Sequence, residues 1–303
     1  MRRVSIGQLV RHVDVEPLAA AGAYLGRSVD LGWGRVYGGQ TMAQGLAAAQ
    51  RFVGPDRLGH QFGCHFLRGG DTKLPIRFEV DELSRGRSFS AVHVRALQEE
   101  KPILAMTASF QTPEAGLEHT VGGLEPEWGR PDDLKSITEH FAPYLDQLPE
   151  RLRGLYAEGG SPLDIRPAEF VLPWDPTVRP PKHQYWVRAK EALPDDPRVH
   201  ERLLTYISDW GLLASSIYGH PTALWKPEIQ VASLSHSVHV HREFRLDQQW
   251  LCHATHSPVS SGGRGYCLGQ FWNEQGELVA STAQEGLIRM RTDRKAQSAQ
   301  DAL

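Results

Sequence analysis

Two stretches of this chain echo each other about 176 residues apart, and a duplicated unit leaves few architectures open. The first stretch runs His60-Gln61-Phe62, then Phe66-Leu67-Arg68, Arg87-Ser88-Phe89-Ser90 and Leu104-Ala105-Met106-Thr107-Ala108. The second runs His236-Ser237-Val238, then Arg264-Gly265-Tyr266-Cys267 and Val279-Ala280-Ser281-Thr282-Ala283. Matched residues lie about 175 to 177 positions apart, steadier than coincidence among common residues would give. Only the second copy carries a carboxylate, Asp209, on the helix that precedes it.

Each copy reads as one helix followed by strands. In the first, Met42, Leu46, Ala49 and Val53 fall three or four apart in an Ala-rich segment from Gly38 to Val53, which Gly54-Pro55 ends. Gly38-Gly39 fits a helix entry with unusual backbone angles, or alternatively a backbone approaching a ligand. Strand-like runs follow at Gln61 to Leu67, Ile76 to Leu83, Ser88 to Leu97 and Ile103 to Phe110. In the second, Asp196-Pro197 reads as an N-cap with proline at the first helical position, leading a helix from Arg198 through Ser216. Strands are then expected at Ile229 to Val240, Trp250 to His256, Tyr266 to Trp272 and Leu278 to Ile288. A helix against an antiparallel meander, twice, is an α+β fold. The expected division is a first unit at 1–115, a connector at 116–192 packed on the body, and a second unit at 193–303 carrying the chemistry. The connector is rich in proline, with a helical patch near Leu134 to Leu155; the tail from Arg289 reads as polar and frayed.

Composition excludes several functions. A net charge of −3 gives no broad attraction to nucleic acid. No run approaches the roughly 20 apolar residues of a membrane span, and the start, Met1-Arg2-Arg3-Val4-Ser5, has no signal-peptide core behind it. Cys64, Cys252 and Cys267 are odd in number and lack CxxC spacing, which speaks against disulfides or zinc and fits a reducing cytoplasm. The C-terminus, Asp301-Ala302-Leu303, is not a Ser-Lys-Leu peroxisomal address. Among 14 histidines, His236, His239 and His241 lie in a strand-like alternation and no HExxH occurs, so they read as structural or solvent-facing.

Three polar residues call for an explanation. Asp209 borders the apolar stripe of its helix, and Ser208-Asp209-Trp210-Gly211 resembles a newly started turn that would free N–H groups for an oxyanion. Ser233 interrupts an apolar run, and Gln284 closes the apolar strand Leu278 to Ala283. Taken singly each reads as a helix-surface or sheet polar residue; an Asp, a Ser and a Gln converging on one water would satisfy all three.

At these residues the chain resembles the acyl-CoA thioesterase II family, built as a double hotdog. The resemblance covers nearly the whole length. It rests on Val36-Tyr37-Gly38-Gly39-Gln40, Phe66-Leu67-Arg68-Gly69-Gly70-Asp71, Arg85-Gly86-Arg87-Ser88-Phe89-Ser90 and Met106-Thr107-Ala108-Ser109-Phe110-Gln111 in the first half. In the second half it rests on Leu193-Pro194-Asp195-Asp196, Tyr206-Ile207-Ser208-Asp209, Ser261-Gly262-Gly263-Arg264-Gly265 and Leu278 through Gly286. The resemblance implies that Asp209 and Gln284 orient a hydrolytic water together with Ser233, which stands where the family has Thr. Gly63-Cys64-His65 is a second departure, read as a change in a pocket wall. Gln40, at the start of the first helix, takes the place comparable to Asp209, and an amide cannot act as a base. Gly39, Gln40, Arg68, Arg87 and Arg264 are candidate substrate-binding residues.

The implied activity is hydrolysis of medium- or long-chain acyl-CoA by activated water, without metal or bound cofactor, in a cytoplasmic homodimer or homotetramer with no stable membrane insertion. A covalent anhydride through Asp209 is the mechanistic alternative. Two rival functions stay open: a hotdog enoyl-CoA hydratase or dehydratase, disfavoured because Asp209 is followed by Trp210-Gly211-Leu212-Leu213 with no nearby His before His220, and a non-catalytic acyl-CoA binder.

Overall fold

The computed structural model describes residues 5–291. The elements are, in chain order, α1 (Ile6–His12), β1 (Glu16–Pro17), β2 (Ala23–Gly26), α2 (Gly38–Val53), β3 (Leu58–Phe66), β4 (Ile76–Arg85), β5 (Phe89–Gln98), β6 (Lys101–Gln111), α3 (Ile137–Phe141), α4 (Glu150–Tyr156), β7 (Leu163–Pro167), β8 (Lys182–Ala189), α5 (Pro197–Ser208), β9 (Ile229–Val240), β10 (Leu251–Ser261), β11 (Arg264–Asn273) and β12 (Leu278–Met290). The strands form one sheet in the order β1-β2-β4-β5-β6-β3-β9-β12-β11-β10-β8-β7, and every pairing is antiparallel.

That order reads the same from either end once each strand is matched to its repeat. The duplication therefore folds as two half-sheets joined edge to edge through β3 and β9. Phe62 faces Val238 across the join; both are fully buried. These two residues are equivalent positions of the repeat, so the local two-fold relating the halves runs between them. Joining the halves this way gives each an inner neighbour instead of an unpaired edge.

Helix α2 packs on the first half-sheet, and α5 packs on α2. Their directions are opposed: the start of α2 at Gly39 meets the end of α5 at Tyr206 and Asp209, while Gln50 near the end of α2 meets Arg198 and Glu201. Small residues make the approach possible. A Cβ added at Gly39 would lie 2.4 Å from the Tyr206 carbonyl oxygen. Gly38 and Gly39 have no positive φ, so their role is closeness rather than unusual backbone angles. Every residue of α5 from Val199 to Ser208 is buried. Its polar members have partners: Glu201 accepts from Gln50 and from the Gly59 N–H, and Arg202 lies 2.8 Å from Asp14. This is the duplicated α+β unit expected from the repeat, in the double-hotdog arrangement that the family resemblance implies.

Four boundaries differ from the sequence reading. The helix expected from Arg198 through Ser216 stops at Ser208, because Gly211 turns left-handed with φ 69° and starts a separate 3-10 turn at Leu212–Ser216. β7 and β8, which fall in the expected connector, are hydrogen-bonded edge strands of the second half-sheet, since β8 pairs with β10 along Lys182 to Val187. The helical patch is broken into α3, a 3-10 turn and α4, with prolines at 143 and 149. Arg289 and Met290 continue β12 by pairing with Gln230 and Ile229. The tail beyond residue 291 and the first four residues lie outside the described residues.

Candidate active site

Asp209 terminates α5. Two tyrosines pin the segment that holds it: the Tyr185 hydroxyl lies 3.2 Å from the Ile207 carbonyl and 3.1 Å from that of Trp210, and the Tyr37 hydroxyl donates to the Tyr206 carbonyl at 2.9 Å. Burial, and then the negative charge of Asp209, hold both phenols well above their ordinary pKa. They act as neutral struts.

The carboxylate is held from both halves of the molecule. Oδ2 accepts the Gly39 N–H at 2.9 Å, from the first turn of α2. That N–H has no partner within its own helix, and the helix start favours negative charge. Oδ1 accepts Gln284 Nε2 at 2.8 Å, and the same amide nitrogen lies 2.7 Å from Ser233 Oγ. The Ser233 hydroxyl is 3.5 Å from Oδ1. The structure thus brings Asp209, Ser233 and Gln284 together from α5, β9 and β12. Gln284 is 1 % exposed; a bulge between Glu285 and Gly286 falls beside Ser233 in the β9–β12 ladder.

All three residues line one cavity of about 660 Å³, within the range of small-molecule sites. Its walls are largely apolar and come from every part of the chain: Trp33, Val36 and Phe66 from the first half, Phe141, Tyr156 and Leu172 from the connector, Trp210 and Trp225 from the second. His183 also lines it, its pKa lowered to about 4 by burial, so it is a neutral wall. Among the described residues no cluster of His, Cys, Asp and Glu could hold a metal.

The substrate-binding candidates separate. Arg68 lines the cavity, with its guanidinium 2.7 Å from the Pro102 carbonyl. Gly39 contributes through its N–H. Gln40 is fully buried and turned away, donating to the Arg27 carbonyl at 2.9 Å; it sits in the first turn of α2, whereas Asp209 follows the last turn of α5. The two are neighbours across the antiparallel helix pair, not counterparts in the repeat, because Gln40 lies in the opening turn of its helix and Asp209 caps the end of its own. Arg87 and Arg264 lie on hairpins away from the cavity, Arg264 paired with Glu285 at 2.9 Å.

Two residues escaped the sequence reading. Arg35 lines the cavity beside Arg68. His236, set aside as a strand histidine, is fully buried with Nε2 2.8 Å from Ser208 Oγ, one residue from Asp209. Its signal was present in the repeat, where it matches His60. In the first half, His60 bonds Ser109 at 2.8 Å.

The chain matches the family model described as acyl-CoA thioesterase over residues 157–287 and that described as acyl-CoA thioesterase N-terminal domain over residues 29–111. It is 36% identical to acyl-CoA thioesterase 2 of Haemophilus influenzae, over 88% of this chain and 92% of that protein. It is 33% identical to human acyl-coenzyme A thioesterase 8, over 85% of this chain and 81% of that one. Among solved structures, an acyl-CoA thioesterase II of Mycobacterium marinum aligns with a TM-score of 0.73 and 32% identity, covering 93% of this chain and 98% of the other. With both halves matched in order and relatives aligned nearly end to end, the chain belongs to the acyl-CoA thioesterase family and is a thioester hydrolase.

Proposed function

We propose that the protein hydrolyses medium- or long-chain fatty acyl-CoA, with Asp209 as general base and Ser233 and Gln284 orienting the attacking water. The convergence of these three side chains on one apolar cavity carries the reading. A thioester needs little from an enzyme beyond a placed and activated water, because its carbonyl is electrophilic and its thiolate leaves readily. The water oxygen attacks the carbonyl carbon while its proton passes to Asp209. Charge developing on the carbonyl oxygen falls to backbone N–H groups at the start of the Leu212–Ser216 turn, which have no partner within the turn. The tetrahedral intermediate then expels the CoA thiolate, which takes the proton from Asp209 and restores the base.

The Gly39 N–H and Gln284 already occupy both carboxylate oxygens of Asp209. That restraint supports direct water attack over an anhydride, which would require a carboxylate oxygen to reach the substrate carbon. Apolar walls suit the acyl chain, and Arg35 and Arg68 suit the CoA phosphates. Three buried, unpaired thiols support a reducing cytoplasm, and no described helix is long and apolar enough to cross a membrane. Assembly as a homodimer or homotetramer is carried over from the family.

Thiol release from a panel of saturated acyl-CoAs tests the activity. Each added methylene contributes about 0.8 kcal/mol on burial, so kcat/KM should rise up to about fourfold per methylene until the cavity is filled. A protein that binds acyl-CoA but releases no CoA above background would sink the hydrolase reading.

A further inference from the structure

Gln284 can serve Asp209 only if its amide is turned the right way. Asp209 and its two oxygens accept hydrogen bonds, so the NH2 end must face it, and this leaves the amide oxygen pointing the other way. That oxygen, Oε1, is buried and has no hydrogen-bond partner assigned. Directly across the β9–β12 ladder from Gln284 stands His236, which is 1 % exposed. Its Nδ1 is likewise buried with no assigned partner, and its interaction with the Gln284 side chain is felt in its protonation. Two orphan atoms, one an amide oxygen and the other an imidazole nitrogen, face each other across adjacent strands.

Counting protons fixes the rest. For Oε1 to be satisfied, Nδ1 must carry a hydrogen. Burial holds the imidazole below its ordinary pKa despite the neighbouring Asp209 charge, so the ring is neutral and Nε2 is then a bare acceptor. Nε2 is 2.8 Å from Ser208 Oγ. That hydroxyl could instead donate to the Thr205 carbonyl at 2.9 Å, but only if Nε2 supplied a proton of its own, which the neutral Nδ1–H ring lacks.

We propose that His236 is a positioning residue for the reaction: Ser208 O–H donates to His236 Nε2, His236 Nδ1–H donates to Gln284 Oε1, and the amide is thereby locked with its NH2 towards Asp209 and Ser233. Asp209 follows Ser208 directly, so the relay starts and finishes at the same carboxylate segment. It ties the end of α5 to the far strand and removes the half-turn of the amide that would set its oxygen against Asp209. This inference rests on the assignment of Gln284 to the site in the proposed function.

The test compares kcat, KM and melting temperature of His236→Leu, His236→Asn and Ser208→Ala, with His236→Leu also made in a Gln284→Ala background. His236→Leu should lower kcat at least about tenfold, equivalent to about 1.4 kcal/mol of barrier, with KM within about threefold of wild type. His236→Asn keeps an N–H near the Nδ1 position and should restore most of the loss. In the Gln284→Ala background the His236 substitution should cost less than about twofold, because its effect passes through Gln284. Should His236→Leu fail to fold, Ser208→Ala carries the test: it frees the opposite tautomer and should also reduce kcat while melting near wild type. Wild-type kcat in His236→Leu or Ser208→Ala, no rescue by Asn, or an equal loss without Gln284 would each overturn the proposal. If Gln284→Ala itself has wild-type kcat, the fault lies with the assignment of Gln284 to the site.

Discussion

Gly39→Ala is the sharpest probe of how the two halves build one site. The new Cβ would lie 2.4 Å from the Tyr206 carbonyl oxygen and 2.7 Å from the Tyr37 ring. The first obstacle is backbone of a fully buried helix, so no side-chain rotation removes the clash. Restoring an ordinary contact requires α2 and α5 to separate by about 1 Å, and overpacking of this kind costs about 1–3 kcal/mol. The same shift stretches the Gly39 N–H to Asp209 bond from 2.9 Å beyond useful range. A hydrogen bond to a charged group contributes about 1.5–3 kcal/mol, and a 1 Å misplacement near the chemistry can cost about a hundredfold in rate. Melting temperature and kcat, measured on the same preparation, should therefore both fall, with kcat lower by one to two orders of magnitude. Gly54→Ala, where a Cβ meets nothing within 4 Å but φ is 100°, serves as control: it should lower stability through strain and leave kcat unchanged. A Gly39→Ala protein with wild-type melting and turnover would refute the claim that the start of α2 holds Asp209.

Three further outcomes follow from the same contacts. Glu201 is buried against Gln50 and Gly59, and burial raises its pKa from 4.5 to about 8 in the folded protein. A carboxyl raised on folding contributes its stability fully below the unfolded value and loses it as pH rises through the folded one. Denaturant titrations should therefore show wild-type stability, relative to Glu201→Gln, falling between pH 4.5 and about 8; a pH-independent difference would show that the group does not titrate in that window. Ser233→Ala should reduce kcat about tenfold or more by removing an oriented hydroxyl, whereas Ser233→Thr, which restores the family residue, should match or exceed wild type; equal kcat in all three would remove Ser233 from the chemistry. In single turnover in 18O water, direct attack puts the label into the fatty acid and none into Asp209; label in Asp209 would establish the anhydride.

Much of this was legible because the repeat is physical as well as textual. Strand alternation in β3 to β6 and β9 to β12 reports a sheet with one buried face, and duplicated strands at a constant spacing predict a two-fold arrangement. Asp209, Ser233 and Gln284 drew notice as polar residues in apolar settings, and it was the family resemblance that grouped them as one candidate site. What stayed hidden depends on tertiary packing. β1 and β2 are two and four residues long, too short for a period to declare itself. β7 and β8 lie among prolines, and their strand character comes from the edge of β10 on which they dock. Gln40 was misplaced because Ser208-Asp209-Trp210-Gly211 reads in sequence as a newly started turn, whereas in the fold Asp209 caps the end of α5 and only the antiparallel packing brings it beside the start of α2. His236 looked like one of several alternating histidines; only the fold shows that it faces Gln284 while His239 faces Gln61 across the join.

The account stands on Asp209 as the base, and Asp209→Asn tests that most directly. The amide keeps the shape and its oxygen can still accept the Gly39 N–H, but its NH2 then meets the Gln284 NH2 donor to donor, so melting temperature and acyl-CoA binding are measured beside kcat to separate that cost from loss of the base. Loss of a general base should lower kcat by about 10²–10⁴, read as CoA thiol release at saturating acyl-CoA. An Asn variant that folds, binds and turns over at the wild-type rate would contradict the account.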